Sequence, residues 1–218
     1  MIWPTGLPRL RALCVLATFA AAGLVGCTSV PSGPRFVEIQ RTAHGVAHIR
    51  AGDYESLAYG VAYAHAQDNV CQTADHLVTV RGERSRYFGP TATGRLGLRT
   101  LPNEQIDLFI RAHMDDAKLV RAYSQMSHEA QEMARGYVAG YNRYLGDTGP
   151  DKLPASCRNA TWVRPMSMLE YFRLGEHAMV QGGAGALADA ILAARPPAAT
   201  SSKEMPPAPD AHAFASSF

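Results

Sequence analysis

The sequence predicts an α+β domain that is rich in helices and opens with a β-hairpin. β-Branched and polar residues alternate over residues 36–50 and are interrupted by a glycine-containing turn, as in two paired strands. Beyond residue 53, apolar residues recur at spacings of three and four, which is the period of helices packed on one side. Roughly 170 residues, from 27 to 195, suffice for one sizeable core, so a single domain is expected.

The predicted hairpin carries Val37 and Ile39 on its first arm and Val46 and Ile49 on its second. Such β-branched side chains suit the pleated arms of a hairpin. The intervening residues 42–45 read Thr-Ala-His-Gly, and the glycine can supply the positive φ that a tight turn requires.

A long helix is predicted to follow, with Asp53 as its N-cap. The Asp53 carboxylate can accept hydrogen bonds from the free amides of the first turn, and Glu55 lies where the helix dipole favours a negative charge. One stripe of this helix steps by threes and fours through Leu57, Val61, Ala64, Asp68, Cys71, Asp75 and Val78. Small side chains form a neighbouring stripe that permits close helix packing, namely Ala58, Ala62 and Ala66.

Two more helices are predicted over residues 103–118 and 127–144. Gly146 is the expected C-cap of the second. Residues 147–159 are rich in Pro, Gly and Asp, which predicts a loop.

The last helical region opens at residues 167–170, where Ser-Met-Leu-Glu matches a capping box. Its inner face is expected to carry Leu169, Phe172 and Met179. The Gly-Gly-Ala-Gly segment at 182–185 interrupts this helix, and a short amphipathic piece follows. Prolines 196 and 197 then stop the helical pattern.

Residues 1–26 are predicted to be an export signal with a lipobox. Two arginines precede an apolar run from 12 to 25, which is too short to span a bilayer of roughly 30 Å. The run closes with Leu24-Val25-Gly26 before Cys27, as in bacterial lipoproteins, so Cys27 is expected to carry lipid in the periplasm and to provide the protein's contact with the membrane. An ordinary secretory signal, with no special role for Cys27, is the alternative. Residues 27–35 are then a linker.

Without the signal, the formal charge of +2 falls to about zero, because two arginines and no acidic residue are removed. Nothing in this balance suggests nucleic acid as a partner. Cys71 and Cys157 are the cysteines of the folded part, and in an oxidising compartment such a pair favours a disulfide. Two buried free thiols are the alternative.

Residues 196–218 are predicted to be a flexible spacer, similar to a propeptide. Pro, Ala and Ser dominate them, and large apolar residues are scarce. Such a composition buries too little surface to offset the entropy lost on ordering.

Several segments, in order, carry a resemblance to a known family. Residues 37–51 (VEIQRTAHGVAHIRA) resemble the opening strands of the penicillin acylase family, and residues 58–69 (AYGVAYAHAQDN) its first long helix, with residues 80–89 as the continuation. Residues 162–165 (WVRP) and 181–191 (QGGAGALADAI) look like the end of the α-chain in acyl-homoserine-lactone acylases and their aculeacin-acylase-like members. They occur in the family's order and extend from residue 37 nearly to residue 197, which is a specific match.

The resemblance implies the α-chain portion of an αββα N-terminal-nucleophile hydrolase, cut from one precursor. In this family a serine at the start of a separate β-chain attacks the amide, and its own α-amino group is the base. The family's Gly-Ser-Asn junction does not follow the spacer here, and neither Ser216 nor Ser217 precedes an Asn. We therefore assign no catalytic residue and expect no catalysis by this chain without the β-subunit.

Some family members bind calcium through an acidic α-chain residue and place an Arg-Phe pair against the substrate. Alignment puts Leu187 at the first place and Val180 and Gln181 at the second, and none retains the family chemistry. We therefore expect no metal and no cofactor, and calcium is disfavoured although Asp189 lies nearby. Met179, Val180 and Gln181 are the candidate substrate-pocket residues, with ordinary helix packing as the alternative.

The other polar residues are expected to be structural. No His-Glu-x-x-His zinc motif occurs. The helical histidines, His65, His76 and His177, are expected at ordinary polar or half-buried positions. Four charged residues, Asp68, Glu83, Arg84 and Arg86, are expected to brace the fold through charged hydrogen bonds.

The resemblance thus implies part of an amidohydrolase acting on a small N-acyl compound. The expected substrates are an N-acyl homoserine lactone, a β-lactam side-chain amide or an acylated lipopeptide. The alternative is a non-catalytic exported lipoprotein remnant with a structural or interaction role.

Overall fold

The structure is a computed structural model that describes residues 36–196. The predicted signal with its lipobox, the linker over residues 27–35 and the spacer beyond residue 196 lie outside the described residues. The chain divides into two units, residues 1–36 and 37–218, and the fold described below is that of the second.

The helix-rich α+β class with an N-terminal hairpin is confirmed. The strands are β1 (Val37–Arg41), β2 (Ala47–Ala51), β3 (Thr93–Leu96) and β4 (Arg99–Pro102). The helices are α1 (Tyr54–Arg81), α2 (Arg84–Phe88), α3 (Asn103–His113), α4 (Asp116–Ser124), α5 (His128–Thr148), α6 (Met168–Gly182) and α7 (Ala188–Ala193). Two 3₁₀ turns, Pro150–Lys152 and Ala184–Leu187, complete the described order.

The first hairpin forms as the alternation predicts. Strands β1 and β2 pair antiparallel, with Ile39 opposite Ile49. Gly45 has a φ of 81° and donates its amide to the Thr42 carbonyl oxygen at 2.9 Å, which closes the turn. A side chain at Gly45 would be strained in this left-handed conformation.

Helix α1 begins and ends at residues suited to those places. The Asp53 carboxylate accepts a hydrogen bond from the Ser56 amide at 2.7 Å, as its predicted N-cap role requires. Gly82, with φ 65°, ends the helix by donating to the Thr79 carbonyl oxygen at 2.9 Å. Residues 80–89 are therefore not one continuation of the helix, because the chain turns at Gly82 and restarts as α2.

The predicted apolar stripe on α1 is only partly correct. Val61 and Asp68 are exposed, whereas alternate small residues are buried over the first half of the helix, namely Ser56, Ala58, Gly60, Ala62, Ala64 and Ala66. Residues two apart lie on opposite sides of a helix, so α1 is covered on two sides rather than one. The first hairpin covers one side, where Gly60 packs against Val37 and Ile49.

Helix α5 packs on the other side of α1, and the backbones of the two helices are in direct contact. A methyl group at Gly136 would overlap the Glu55 carbonyl oxygen, and one at Gly140 would overlap the Tyr59 carbonyl oxygen. The two glycines are four residues apart and share one face of α5. They allow the two helix axes to approach more closely than any larger residue would.

A disulfide joins Cys71 of α1 to Cys157 in the loop after α5, with a Cα–Cα distance of 5.5 Å. Cys157 is buried in the main core beside Tyr141, Leu153 and Met166. The bond spans 86 positions of sequence, so it attaches the long loop to α1. Closing a loop of this length removes conformational entropy from the unfolded chain.

Two helix boundaries differ from the sequence prediction. The single helix predicted over residues 103–118 is two helices, because the backbone is extended at Met114 and the Asp115 side chain caps α4 by accepting from the Lys118 amide at 3.0 Å. Helix α5 continues past Gly146 to Thr148 and ends at Gly149, whose φ is 75°. Gly146 is thus inside the helix, not its cap.

The second hairpin, β3–β4, was not predicted. It turns at Gly97 and packs, through Leu96 and Leu101, into a smaller core with α3 and α7. The interruption of the last helical region is as predicted, with α6 ending at Gly182 before the 3₁₀ turn. Within the described range of 36–196, no helix has the length and apolar character needed to cross a membrane.

We expect Gly136→Ala to lower the free energy of unfolding by about 1–3 kcal/mol or more, because a methyl group would push α1 and α5 apart. Gly146→Ala is the matched control in the same helix, since nothing lies within 4 Å of the added carbon. That control should raise stability by about 0.5–1 kcal/mol. Urea titration of both variants measures the difference, and equal stabilities would show that the close contact is absent.

Candidate functional site

A cleft lies where the C-terminal half of α1 meets α6 and the β3–β4 hairpin. It contains a polar cavity of about 520 Å³ and a smaller cavity of about 220 Å³. Three side chains line both, namely His76, His177 and Gln181. The two cavities therefore adjoin, and these three residues form the boundary between them.

Helix α6 brings His177 and Gln181 into this cleft. The Ser167 hydroxyl accepts from the Glu170 amide at 3.2 Å, and the Glu170 carboxylate accepts from the Ser167 amide at 2.7 Å, which completes the predicted capping box. Glu170 also forms an ion pair with Arg81 at the end of α1. The start of α6 is thereby fixed to α1, and the next turns place His177 opposite His76.

His177 is buried, and its surroundings favour the neutral ring. Its side chain is 3% exposed, and its ring lies 6.4 Å from that of His76 in an edge-to-face arrangement. Burial, and after it the charge of His76, lowers the pKa of His177 to about 4. Burial also lowers the pKa of His76, an effect that the neighbouring Asp75 carboxylate opposes.

Two residues that line the smaller cavity each have a buried polar atom without a hydrogen-bond partner among residues 36–196, namely His177 Nδ1 and Thr73 Oγ1. The other ring nitrogen, His177 Nε2, lies 3.0 Å from Gln181 Nε2. The Gln181 amide donates in this contact, so His177 Nδ1 carries the proton and is a donor. A buried donor without an acceptor is unusual in a folded protein and costs free energy.

Arg84 forms the wall of the larger cavity. It is buried, donates to both carboxylate oxygens of Asp75 at 2.9 Å, and donates to Asn103 Oδ1, also at 2.9 Å. The Asp107 carboxylate binds the Arg84 backbone amide at 2.8 Å, so α3 holds the start of α2 in place. Gly94 of β3 faces the guanidinium, and a side-chain carbon there would lie 2.6 Å from Arg84 Nε. Arg84 thus joins α1, α3 and the second hairpin.

The other three charged residues predicted to brace the fold also have partners. Asp68 accepts a hydrogen bond from Arg41 at 3.0 Å, which links the first hairpin to α1. Glu83 forms an ion pair with Arg164, and Arg86 lies 3.9 Å from Glu83.

The structure separates the three predicted substrate-pocket residues. Gln181 lines the cleft, whereas Val180 is buried in the smaller core and Met179 is 78% exposed on the outer face of α6. The expected place of Met179 on the inner face of α6 is therefore wrong, because that face passes through His177 and Val180 instead. Whether any of the three contacts substrate stays a prediction.

The residues near the family's calcium position have other contacts. Leu187 is exposed, and the Asp189 carboxylate lies 3.5 Å from an Arg99 guanidinium nitrogen. Across residues 36–196, no group of three or more His, Cys, Asp or Glu side chains converges to hold a metal ion.

The sequence predicts ordinary polar or half-buried positions for His76 and His177, and it does not predict the contact between their rings. A weak signal was present, since His177 and Gln181 are four residues apart on one helix face. The contact with His76 joins positions about a hundred residues apart, and no local pattern encodes it.

The histidine pair predicts a stability loss in mild acid. The folded-state pKa of His177 lies below its value of 6.5 in an unfolded chain, so folding favours the neutral ring. Stability should be full above pH 6.5 and fall towards pH 4 by about 3 kcal/mol, since one pKa unit corresponds to about 1.4 kcal/mol. His177→Gln should flatten this fall in chemical denaturation across the pH range, while His44→Gln in the exposed turn should leave it unchanged. A wild-type curve already flat between pH 4 and 6.5 would contradict the assignment.

Comparison with known proteins gives this fold a family. The sequence matches the penicillin amidase family over residues 36–203. Aculeacin-A acylase of Actinoplanes utahensis is 38% identical over 214 residues, which cover 93% of this chain and 27% of that protein. The acyl-homoserine lactone acylase PvdQ of Pseudomonas fluorescens Pf-5 is 39% identical over 200 residues, which cover 91% of this chain and 25% of that protein. The chain thus spans about a quarter of the length of these curated relatives.

A solved structure shares the fold. The thermostable penicillin G acylase from Alcaligenes faecalis superposes with a TM-score of 0.58 at 22% identity, covering 79% of this chain and 99% of that chain. With the family match extending over residues 36–203, the chain belongs to the penicillin amidase family.

Proposed function

We propose that this chain is the α-subunit part of an acylase that hydrolyses the amide of a small N-acyl compound. The observation that carries the proposal is the family match over residues 36–203, which include all of the described residues. The relatives named as acyl-homoserine lactone acylase and aculeacin-A acylase support an N-acyl homoserine lactone or an acylated lipopeptide as substrate, with a β-lactam side-chain amide as a further candidate.

The proposal also assigns the scaffold and the catalytic residues to two different chains. The solved neighbour is a chain of which this protein covers 99%, whereas the curated relatives are about four times longer. A scaffold chain of this extent, completed by a larger catalytic β-chain, agrees with both figures.

The proposed chemistry needs a nucleophile from that β-chain. Its N-terminal serine hydroxyl adds to the amide carbonyl, and the α-amino group of the same residue takes the hydroxyl proton. An α-amine is suited to this because it titrates near pH 8, close to working conditions. The carbon–nitrogen bond then breaks, the leaving amine receives the proton, and water releases the acid from the acyl-enzyme.

The proposed mechanism does not require a histidine beside the nucleophile, because the α-amine of the N-terminal serine is its base. Within residues 36–196, no hydrogen bond joins a Ser, Thr or Cys side chain to a histidine, and both cysteines in that range are held in the disulfide.

Export and lipid anchoring through Cys27 remain part of the proposal. The disulfide between Cys71 and Cys157 agrees with an oxidising compartment such as the periplasm. Gln181 is the proposed pocket residue of this chain, because it lines the cleft.

Co-expression tests the proposed function. The full chain is produced together with the part of the Actinoplanes aculeacin-A acylase that it does not match, and the release of free acid from N-acyl homoserine lactones of graded length is measured. We expect turnover by the pair and none by either part alone. Turnover by this chain alone would refute the α-subunit role, and inertness of a folded, assembled pair would favour the non-catalytic lipoprotein.

A further inference from the structure

We infer that the disulfide between Cys71 and Cys157 is a redox-controlled latch on the loop that follows α5, and that its reduction exposes the Arg158–Asn159 peptide bond to proteolysis while the helices stay folded. Residues 149–161 form this latch loop. The inference goes beyond the proposed function, because it depends neither on amide hydrolysis nor on a second chain.

The latch loop is attached to the rest of the molecule at few points. In the described part of the chain, no hydrogen bond or ion pair joins residues 150–161 to an α-helix or a strand. One hydrogen bond crosses the loop itself, from Arg158 Nε to the Leu153 carbonyl oxygen at 3.1 Å. Leu153 and Cys157 are its buried residues, with 3% and 1% exposure. Side-chain packing and the disulfide to α1 therefore hold the loop in place.

The segment after the latch loop is held independently. Asn142 of α5 donates its side-chain amide to the Met166 carbonyl oxygen at 2.9 Å, and its side-chain oxygen accepts from the Met166 backbone amide at 2.7 Å. Arg164 forms an ion pair with Glu83. These contacts do not involve the disulfide, so they remain when it is broken. Opening is thereby confined to the loop.

Arg158 lies where the state of the disulfide matters most. It is exposed, whereas Cys157 immediately before it is buried in the main core beside Tyr141. Asn159 immediately after it has a φ of 55°. A protease binds an extended segment on both sides of the bond it cuts, so Cys157 must leave the core and Asn159 must leave its left-handed conformation. The covalent bond to Cys71 prevents this movement and protects the loop.

A dithiol supplies the electrons that open the latch. Cys71 is half-buried and Cys157 is buried, so Cys71 is the more accessible of the two. A thiolate of the dithiol attacks the Cys71 sulfur, the bond between the protein sulfurs breaks, and Cys157 leaves as a thiolate. The second sulfur of the dithiol then displaces Cys71 and closes the cyclic disulfide of the oxidised reagent. Two electrons pass to the protein, and both cysteines take up protons to become thiols.

The latch makes the lifetime of the chain depend on its compartment. In oxidising surroundings the disulfide persists and the loop stays closed, whereas in reducing surroundings the same chain presents a basic cleavage site. Chains that have not been oxidised are thereby the ones that proteases cut.

Limited proteolysis of the full chain tests the latch. The chain is reduced with dithiothreitol, its thiols are capped with iodoacetamide, and both reagents are removed before trypsin is added. Oxidised chain treated with iodoacetamide alone is the reference. Cys71→Ala/Cys157→Ala removes the bond without a cap, and Ser156→Ala, at an exposed position of the same loop, is the matched control. Mass spectrometry follows cleavage after Arg158, and cleavage after Arg143 inside α5 measures unfolding of the helices.

We expect cleavage after Arg158 to be at least tenfold faster in the reduced chain and in the double-alanine variant than in the oxidised chain. Cleavage after Arg143 should stay within twofold, and oxidised Ser156→Ala should behave as oxidised wild type. Equal rates after Arg158 in the oxidised and reduced chains would overturn the inference. An equal rise after Arg143 would also overturn it, because the whole fold would then open. So would a peptide map of the oxidised chain that lacks the cross-link between Cys71 and Cys157.

Discussion

The backbone contact between α1 and α5 is the constraint on which the rest of the structure depends. Glycines 136 and 140 leave the carbonyl oxygens of Glu55 and Tyr59 directly against α5, with no side chain between the helices. Because α1 is held this closely on one side and by the first hairpin on the other, its direction is fixed over its first half. The backbone of Asn69 is not helical, so α1 bends there, and its second half, from Val70 onward, leads to the cleft.

Charged residues connect the end of α1, and Arg84 just after it, to other helices. Arg81 at the end of α1 binds Glu170 at the start of α6, and Arg84 binds Asp75, Asn103 and Thr79. Burial acts to raise the pKa of Glu170, but the hydrogen bonds from Arg81 and Ser167 and the charge of Arg81 together lower it, which favours the ionised carboxylate. Removing either partner of such a buried pair would leave an uncompensated charge. The Arg81–Glu170 pair fixes α6, and with it His177, relative to α1, whereas the Arg84 contacts join α1 to α3.

The part of this architecture that local sequence encodes was predictable. Asp53 and Ser167 cap helices where they were expected to, and Gly45 makes the first turn. Their chemistry acts within a few residues, so a short window contains the whole signal.

The remaining features depend on distant contacts. The second hairpin has strands of only four residues, and its β3 glycine is explained by the Arg84 guanidinium that packs on it. The predicted apolar stripe on α1 is only partly correct because the helix is buried on two sides. Its buried residues therefore do not repeat with the single period that a helix buried on one side shows. His177 is buried and Met179 is exposed because of the face that α6 turns towards α1. The sequence of α6 alone is compatible with either of two apolar faces packing inward.

The family connects this fold to a function, and the close contact of α1 with α5 holds the fold together. Hydrogen exchange of the backbone amides in the full chain tests this contact most directly. If the glycine contact fixes α1, the amides of α1 around residues 56–66 and of α5 around residues 134–141 should be the slowest and should exchange together, through one unfolding event. Exchange in α5 that is faster by an order of magnitude or more, while α1 stays protected, would contradict the account.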